Sequence, residues 1–299
     1  MERHARFVAV GPQVVHSSDG DDWSEADGSP GDVLLGLTSV EWNGALFVAV
    51  GQWGTIVHSL DGDHWRAASD SATDRWLFDI AWNGERFVAV GWNVVVHSSD
   101  GDRWTRASDT GTSESLRGVV WSGSRFVAVG DDGTIIHSSD GDRWTAANEP
   151  VPSIWLRGVA WNGERVVAVG EGGVIAHSSD GDRWAEATDS PISRFNIQEV
   201  IWDGTRFVAV GNAGTILHSS DGDRWTSANR IDRSWYLTGV TSNGERYVAV
   251  GRGGTTVYSS DGANWLPSDK VVSDNLADLT WSGDRFVAVG NNGTVVVSP

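Results

Sequence analysis

LRGVAWNGERVVAVGEGGVIAHSSDGDRW, residues Leu156–Trp184, is the stretch whose reading decides the fold. Short runs rich in Val, Ile and Trp are separated by Asn162-Gly163, Gly172-Gly173 and Asp180-Gly181. Dipeptides of this kind between apolar runs signal β-hairpins. No part of the stretch carries an apolar stripe at the helical period. The unit is therefore all-β, with four strands labelled a to d. Strand a ends at Trp161, and the tight turn Asn162–Arg165 leads into strand b, Val166–Val169. A looser Gly-rich turn leads to strand c, ending in His177-Ser178. The Asp180-Gly181 segment, read as a two-residue hairpin turn, leads to strand d around Trp184.

The same unit recurs along the whole chain. FVAVG or a close variant begins at Phe7, Phe47, Phe87, Phe126, Val166, Phe207, Tyr247 and Phe286. A period of about 40 residues suits both four-stranded propeller blades and helical pairs, and the all-β pattern selects the blades. Four-stranded antiparallel sheets repeated radially, each packed face to face on its neighbours, make a β-propeller. Residues 1–299 read as one such domain. The repeats supply seven copies of strand a, eight of b, eight of c and seven of d. Eight blades keep every local hairpin and leave incomplete blades at both ends. The alternative of seven blades has a shared closing blade and must pull one hairpin apart. The sequence favours eight, with seven as the alternative. The surplus strands predict self-association through the terminal seam.

The c–d segment S-S-D-G-D-x-W occurs at Ser17–Trp23, Ser98–Trp104, Ser138–Trp144, Ser178–Trp184 and Ser219–Trp225, with variants at Ser59–Trp65 and Ser259–Trp265. It resembles the Asp-box, or bacterial neuraminidase repeat, whose usual pattern is Ser-x-Asp-x-Gly-x-Thr-Trp. The copies here are one residue shorter and place Gly directly after Asp. The resemblance implies a propeller whose box residues Asp19/Trp23, Asp61/Trp65, Asp100/Trp104, Asp140/Trp144, Asp180/Trp184, Asp221/Trp225 and Asp261/Trp265 are structural. Function does not follow from it, because Asp-box propellers include sialidases, photosystem assembly factors, receptors and lectin-like proteins. The residues give the same structural reading unaided. Asp140 has the acceptors its turn needs, Gly141 permits φ > 0, and Trp144 covers the turn.

Composition narrows the chemistry. Forty acidic and 22 basic residues leave a formal net charge of −18, which disfavours nucleic acid and anionic membranes as partners. The absence of cysteine excludes disulfides, thiolate metal sites and cysteine nucleophiles. No signal peptide and no membrane span are visible, so a cytoplasmic location is the default expectation. His16, His58, His97, His137, His177 and His218 share one repeat position with Tyr258 and Val297. Symmetry spreads them apart, so no metal site and no cofactor are expected. The paired aspartates of the boxes read as turn residues rather than calcium ligands.

The d–a connections and b–c turns differ in every repeat, whereas the a–b and c–d turns hardly change. In a propeller these two variable sets share one face, and loops on a rigid scaffold are where binding residues collect. Candidate ligand-binding residues there are Trp53, Trp76, Trp92, Trp155, Phe195, Trp235 and Tyr236, with Arg117 and Arg157 at the entry to strand a. The aromatics suit stacking or plugging between blades. The arginines suit loop carboxylates or an anionic ligand. No catalytic residue is assigned. Sialidases need an arginine triad and a Tyr–Glu pair, but most arginines here occupy repeat positions, and Tyr236, Tyr247 and Tyr258 are the only tyrosines. The expected function is a non-catalytic binding scaffold for a protein or a neutral glycan. The alternatives are a glycan-processing hydrolase or lyase with one site at the channel mouth, and a repeat-amplified scaffold without a small-molecule site.

Overall fold

A computed structural model describes residues 7–9, 15–17, 24–25, 37–60, 66–148, 151, 154–191, 194–228, 233–234, 236–268, 273, 275–281, 286–290 and 295–297. The described residues form thirty strands, β1–β30, in antiparallel sheets that follow chain order. Six sheets have four strands and open with β4 (Leu37–Trp42), β8 (Leu77–Trp82), β12 (Leu116–Trp121), β16 (Leu156–Trp161), β20 (Ile197–Trp202) and β24 (Leu237–Ser242). Two have three strands. At the N-terminal end these are β1 (Phe7–Ala9), β2 (Val15–Ser17) and β3 (Ser24–Glu25). At the C-terminal end they are β28 (Leu276–Trp281), β29 (Phe286–Gly290) and β30 (Val295–Val297). β1 lies beside β29, so the two short sheets are neighbours in space. Among the described residues no helix is long and apolar enough to cross a membrane.

The sheet from β12 through β13 (Phe126–Gly130), β14 (Ile135–Ser138) and β15 (Thr145–Ala146) shows why the sequence folds this way. Strand side chains alternate between faces, and both faces of β13 are buried. Phe126 and Ala128 join Val88, Val90 and Trp144 in the core shared with the preceding sheet. Val127 and Val129 join Leu156, Val166 and Ala168 in the core shared with the next. A strand sandwiched between two sheets needs a continuous apolar run, and F-V-A-V is that run. The first strands of successive four-stranded sheets lie side by side and form the inner wall.

The c–d segment differs from the two-residue turn expected of it. The last c–d pair is His137 with Thr145, so residues 138–144 form a seven-residue loop, and the d strand begins after the tryptophan. The Asp140 carboxylate closes this loop, because Oδ1 accepts the N–H groups of Asp142 at 2.9 Å and Arg143 at 3.0 Å. Ser138 Oγ donates to the same oxygen at 3.0 Å and accepts Gly141 N–H at 2.8 Å. Trp144 lies over the loop, 4% exposed, with Nε1 donating to the Gly141 carbonyl at 3.1 Å. Gly141 has φ +76°, and a Cβ there would stand 2.7 Å from Val88 of the neighbouring sheet. Glycine is thus required by conformation and by packing together. Equivalent bonds surround Asp100, Asp180, Asp221 and Asp261. Backbone N–H donors hold all five of these carboxyls below the ordinary aspartate range. Asp19, Trp23, Asp61 and Trp65 lie outside the described residues.

The second box aspartate reaches the preceding sheet. Asp142 accepts Ser108 N–H at 2.9 Å and lies 3.5 Å from His97 Nε2. The series continues with His58–Asp102 at 3.4 Å, His137–Asp182 at 3.3 Å and His177–Asp223 at 3.1 Å. These four histidines therefore face an aspartate of the next sheet, and His137 and His177 hydrogen-bond to it as clasps between sheets. Ala263 stands where the next aspartate would be, leaving His218 outside the series. Arginines of the a–b turns add to this stapling. Arg165 donates to the Asp221 carbonyl at 2.7 Å and Arg206 to that of Asp261 at 2.9 Å.

Candidate functional site

The opposite end of the sheets is built from the variable segments. Five of the described b–c turns start at the strand-b glycine and fold through a short 3₁₀ turn, as Asp131–Gly133 does after Gly130, whereas Gly91 and Val94 are joined by the two-residue turn Trp92-Asn93. The residue before strand a is seated on the b–c turn of its own sheet. The carbonyls of Trp76, Trp155 and Tyr236 accept the N–H groups of Trp92, Glu171 and Arg252 at 2.8, 2.8 and 2.9 Å. The same connection touches the preceding b–c turn. Gly133 N–H donates to the Ile154 carbonyl at 2.6 Å, and Gly172 N–H to Asn196 Oδ1 at 3.0 Å. Among the described residues, the connections before Trp155 and Ile197 are thus wedged between two turns.

Of the nine candidates, five belong to one sector. Trp53 stands at the tip of its b–c turn, 73% exposed, and meets Trp76 edge-on at 5.9 Å between ring centroids. Trp76 in turn lies 6.5 Å from Phe78, which carries the Arg117 guanidinium 4.6 Å above its ring. Trp155 flanks the same guanidinium at 5.6 Å. Trp92 joins the sector through its backbone bond to Trp76 and is exposed. Arg157 is linked to it through Glu171, at 2.7 Å, because Glu171 N–H is bonded to Trp155. Phe195 and Tyr236 are part-exposed in other sectors, and Arg252 lies over the Tyr236 ring at 4.9 Å. Trp235 lies outside the described residues.

Both candidate arginines are engaged by carboxylates 14 residues further on. Arg117 makes a bidentate pair with Asp131, 2.9 Å for each bond, and Arg157 pairs with Glu171. Gln198 and Asn212 repeat the spacing at 2.9 Å. The second residue of strand a and the first of the b–c turn are thus neighbours on the rim. The complementary identities at this spacing were the available signal for Asp131 and Glu171, and Phe78 carried none. On the inner wall, burial and the charge of Asp79 push the Glu41 carboxyl up to about 7. Asp79 itself spans two strands, accepting Ser39 Oγ and Val119 N–H, both at 2.8 Å. Among the described residues no group of three His, Asp or Glu side chains is placed to hold a metal ion.

Solved structures of similar fold cover nearly the whole chain. YCF48 from Cyanidioschyzon merolae matches with TM-score 0.69 at 16% identity, over 87% of this chain and 94% of its own. YCF48 bound to D1 peptide matches with TM-score 0.71 at 16% identity, over 99% and 96%. The chain is a β-propeller. The propeller domain of Myceliophteria thermophila Cps50 (Swd1) matches with TM-score 0.66 at 12% identity, over 88% and 95%. The DUF6242 beta propeller domain matches residues 76–197 of this propeller. No curated protein matches the chain.

Proposed function

We propose that this propeller is a non-catalytic scaffold that binds a protein partner through the face of d–a connections and b–c turns. The observation that carries the reading is the distribution of exposed aromatic surface. Trp53, Trp92, Trp155, Phe195 and Tyr236 expose between 38% and 73% of their area on that face. At the other end Trp104, Trp144, Trp184, Trp225 and Trp265 are buried, and among the described residues Trp42, 42% exposed, is the one exposed large aromatic there. Aromatic residues exposed on a rigid rim supply binding area at low entropic cost. The engagement of Arg117 and Arg157 by carboxylates favours binding over a sialidase-type site, which needs free arginines. A similarly folded propeller, YCF48, has been solved bound to D1 peptide, which agrees with a peptide-binding use of the architecture.

In this reading residues 1–299 are one domain of eight blades whose first and last are the three-stranded sheets, set together where β1 meets β29. The box loops, closed by Asp140 and its equivalents, support kinship with the Asp-box repeat. Peptide display selection run beside a glycan array tests the function. Selected peptides are expected to bind the wild type and to lose binding when Trp53, Trp92 and Trp155 are all replaced by Ala. Binding that survives those changes, or glycan binding with no peptide selected, refutes it.

A further inference from the structure

We infer that the sector from Trp53 to Trp155 is a docking track for an extended, proline-rich peptide segment that carries Lys or Arg. This deepens the protein-binding reading and rests on it.

The sector is chemically unlike the rest of the rim. Trp53, Trp76, Phe78, Arg117 and Trp155 follow one another through ring and cation–π contacts across neighbouring sheets. The positions equivalent to Phe78 in the other sheets are Thr38, Arg117, Arg157, Gln198, Thr238 and Ala277, none of them aromatic. Trp53 and Trp76 cross at 76°, and Trp76 and Phe78 at 68°. Edge-on pairs present angled apolar corners between rings.

Trp53 also occupies a conformation unfavourable to it. Its φ of 58° and ψ of 31° lie in the left-handed region, as do those of the equivalent residues Asp132 and Ala213 at φ 55° and Gly172 and Gly253 at φ 63°. A non-glycine residue there costs on the order of 1 kcal/mol. The fold recovers little, because Trp53 is 73% exposed. The backbone conformation is common to this turn position; what is particular to Trp53 is a large ring left in solvent, available as a contact for something outside the chain.

Charge selects the partner. Arg117 and Arg157 are paired, whereas the exposed Asp132 and Glu114 flank them with no ion-pair partner among the described residues. Asp132 lies in the b–c turn that bonds Ile154, the residue before Trp155. Glu114 precedes Ser115, whose carbonyl accepts Asp131 N–H at 2.8 Å. The sector thus offers apolar corners beside this negative charge, on a chain of net charge −18. A polyproline II segment is extended in advance, keeps its own backbone solvated and inserts prolines between aromatic rings. Basic residues on the same segment meet Asp132 and Glu114.

Fluorescence anisotropy with three labelled dodecapeptides tests this: one proline-rich and basic, one proline-rich and acidic, one Gly/Ser-rich and basic. The first is expected to bind, and to weaken as salt rises. Trp53→Gly should weaken it about tenfold or more, as loss of a central aromatic anchor does. The fold tolerates glycine there, as Gly172 and Gly253 show, and an unchanged melting temperature checks it. Asp132→Asn should weaken binding about threefold and flatten the salt dependence. Leu266→Ala, on an outer strand, should change nothing. Equal binding of the Gly/Ser peptide, of the acidic peptide, or of the Trp53→Gly variant overturns the inference. A selected peptide lost by Tyr236→Ala but kept by Trp53→Gly also overturns it while leaving the protein-binding reading intact. If no peptide binds at all, both fall.

Discussion

At one end of the sheets the loops ending in Trp104, Trp144, Trp184, Trp225 and Trp265 repeat the same backbone hydrogen bonds to the box aspartate. At the other, Trp53, Asp132, Gly172, Ala213 and Gly253 share a left-handed backbone and little else. The first end is stapled by side chains: box aspartates, interblade histidine clasps and arginines reaching the next loop. The second is held largely by backbone bonds, so its side chains are free to vary. A fold divided in this way carries stability at one end and specificity at the other.

The largest effect expected of a single change lies at the stapled end. Trp144→Ala removes a buried indole that packs on Phe126, with ring centroids 6.4 Å apart, and seals the Gly141 turn. The expected cost is about 3–5 kcal/mol, read from denaturant unfolding. A loss no larger than that of an exposed substitution would break the division of labour.

A second prediction concerns a residue out of keeping with this end. Glu41 stands next to last on its strand, where the other first strands have Ala81, Val120, Ala160, Ile201, Thr241 and Thr280. Burial and Asp79 push its carboxyl up to about 7. A folded-state value above the unfolded one means that the protonated form favours the fold. That contribution is full below pH 4.5 and lost as pH rises through about 7. Glu41→Gln should therefore stabilise the chain by about 2 kcal/mol at pH 8 and by little at pH 5. The box carboxyls and His97 and His218, all shifted down, run the other way. Their contribution is lost as pH falls. Parallel pH profiles of wild type and variant, instead of converging toward pH 5, would show that Glu41 does not titrate as argued.

A third, smaller effect tests whether departures from the repeat at this end are compensated. Tyr247 replaces the usual Phe, and Asp203 replaces the usual Asn or Ser in the a–b turn of the preceding sheet. The Tyr247 hydroxyl donates to Asp203, and with burial this pushes the phenol up to about 12. Tyr247→Phe and Asp203→Asn should each cost about 1 kcal/mol, and together less than their sum. Strict additivity in the cycle would mean that the pair is not coupled.

Most of the fold was legible because each strand carries its own evidence. F-V-A-V states burial on two faces, and the Asn-Gly and Asp-Gly turns state where it stops. What lay between sheets was not legible. His97 and Asp142 are both visible as repeat positions, but nothing in one copy shows that its histidine meets the aspartate of the next. The box loop was read as a two-residue turn because Asp-Gly is the commonest hairpin signal. Its length depends on Asp140 capping N–H groups that a short turn would have paired across strands. On the rim, Trp53 and Trp155 were visible as variable aromatics. Phe78 was hidden inside strand a, and its membership of the sector follows only from the stacking of one sheet on another.

The smallest expected change in stability comes from the most conspicuous side chain. Trp53→Gly removes an edge-on contact with Trp76, about 0.5–1.5 kcal/mol, and adds the chain entropy of glycine, about 0.5–1 kcal/mol. Against these stands relief of the left-handed conformation, about 1–2 kcal/mol. The terms nearly cancel, so the unfolding midpoint should stay within about 0.5 kcal/mol of wild type. The contrast with Trp144→Ala then separates two indoles of one chain by what surrounds them. A destabilisation by Trp53→Gly comparable to that of Trp144→Ala would mean that the variable face also carries the fold, and its aromatics would need a structural account instead.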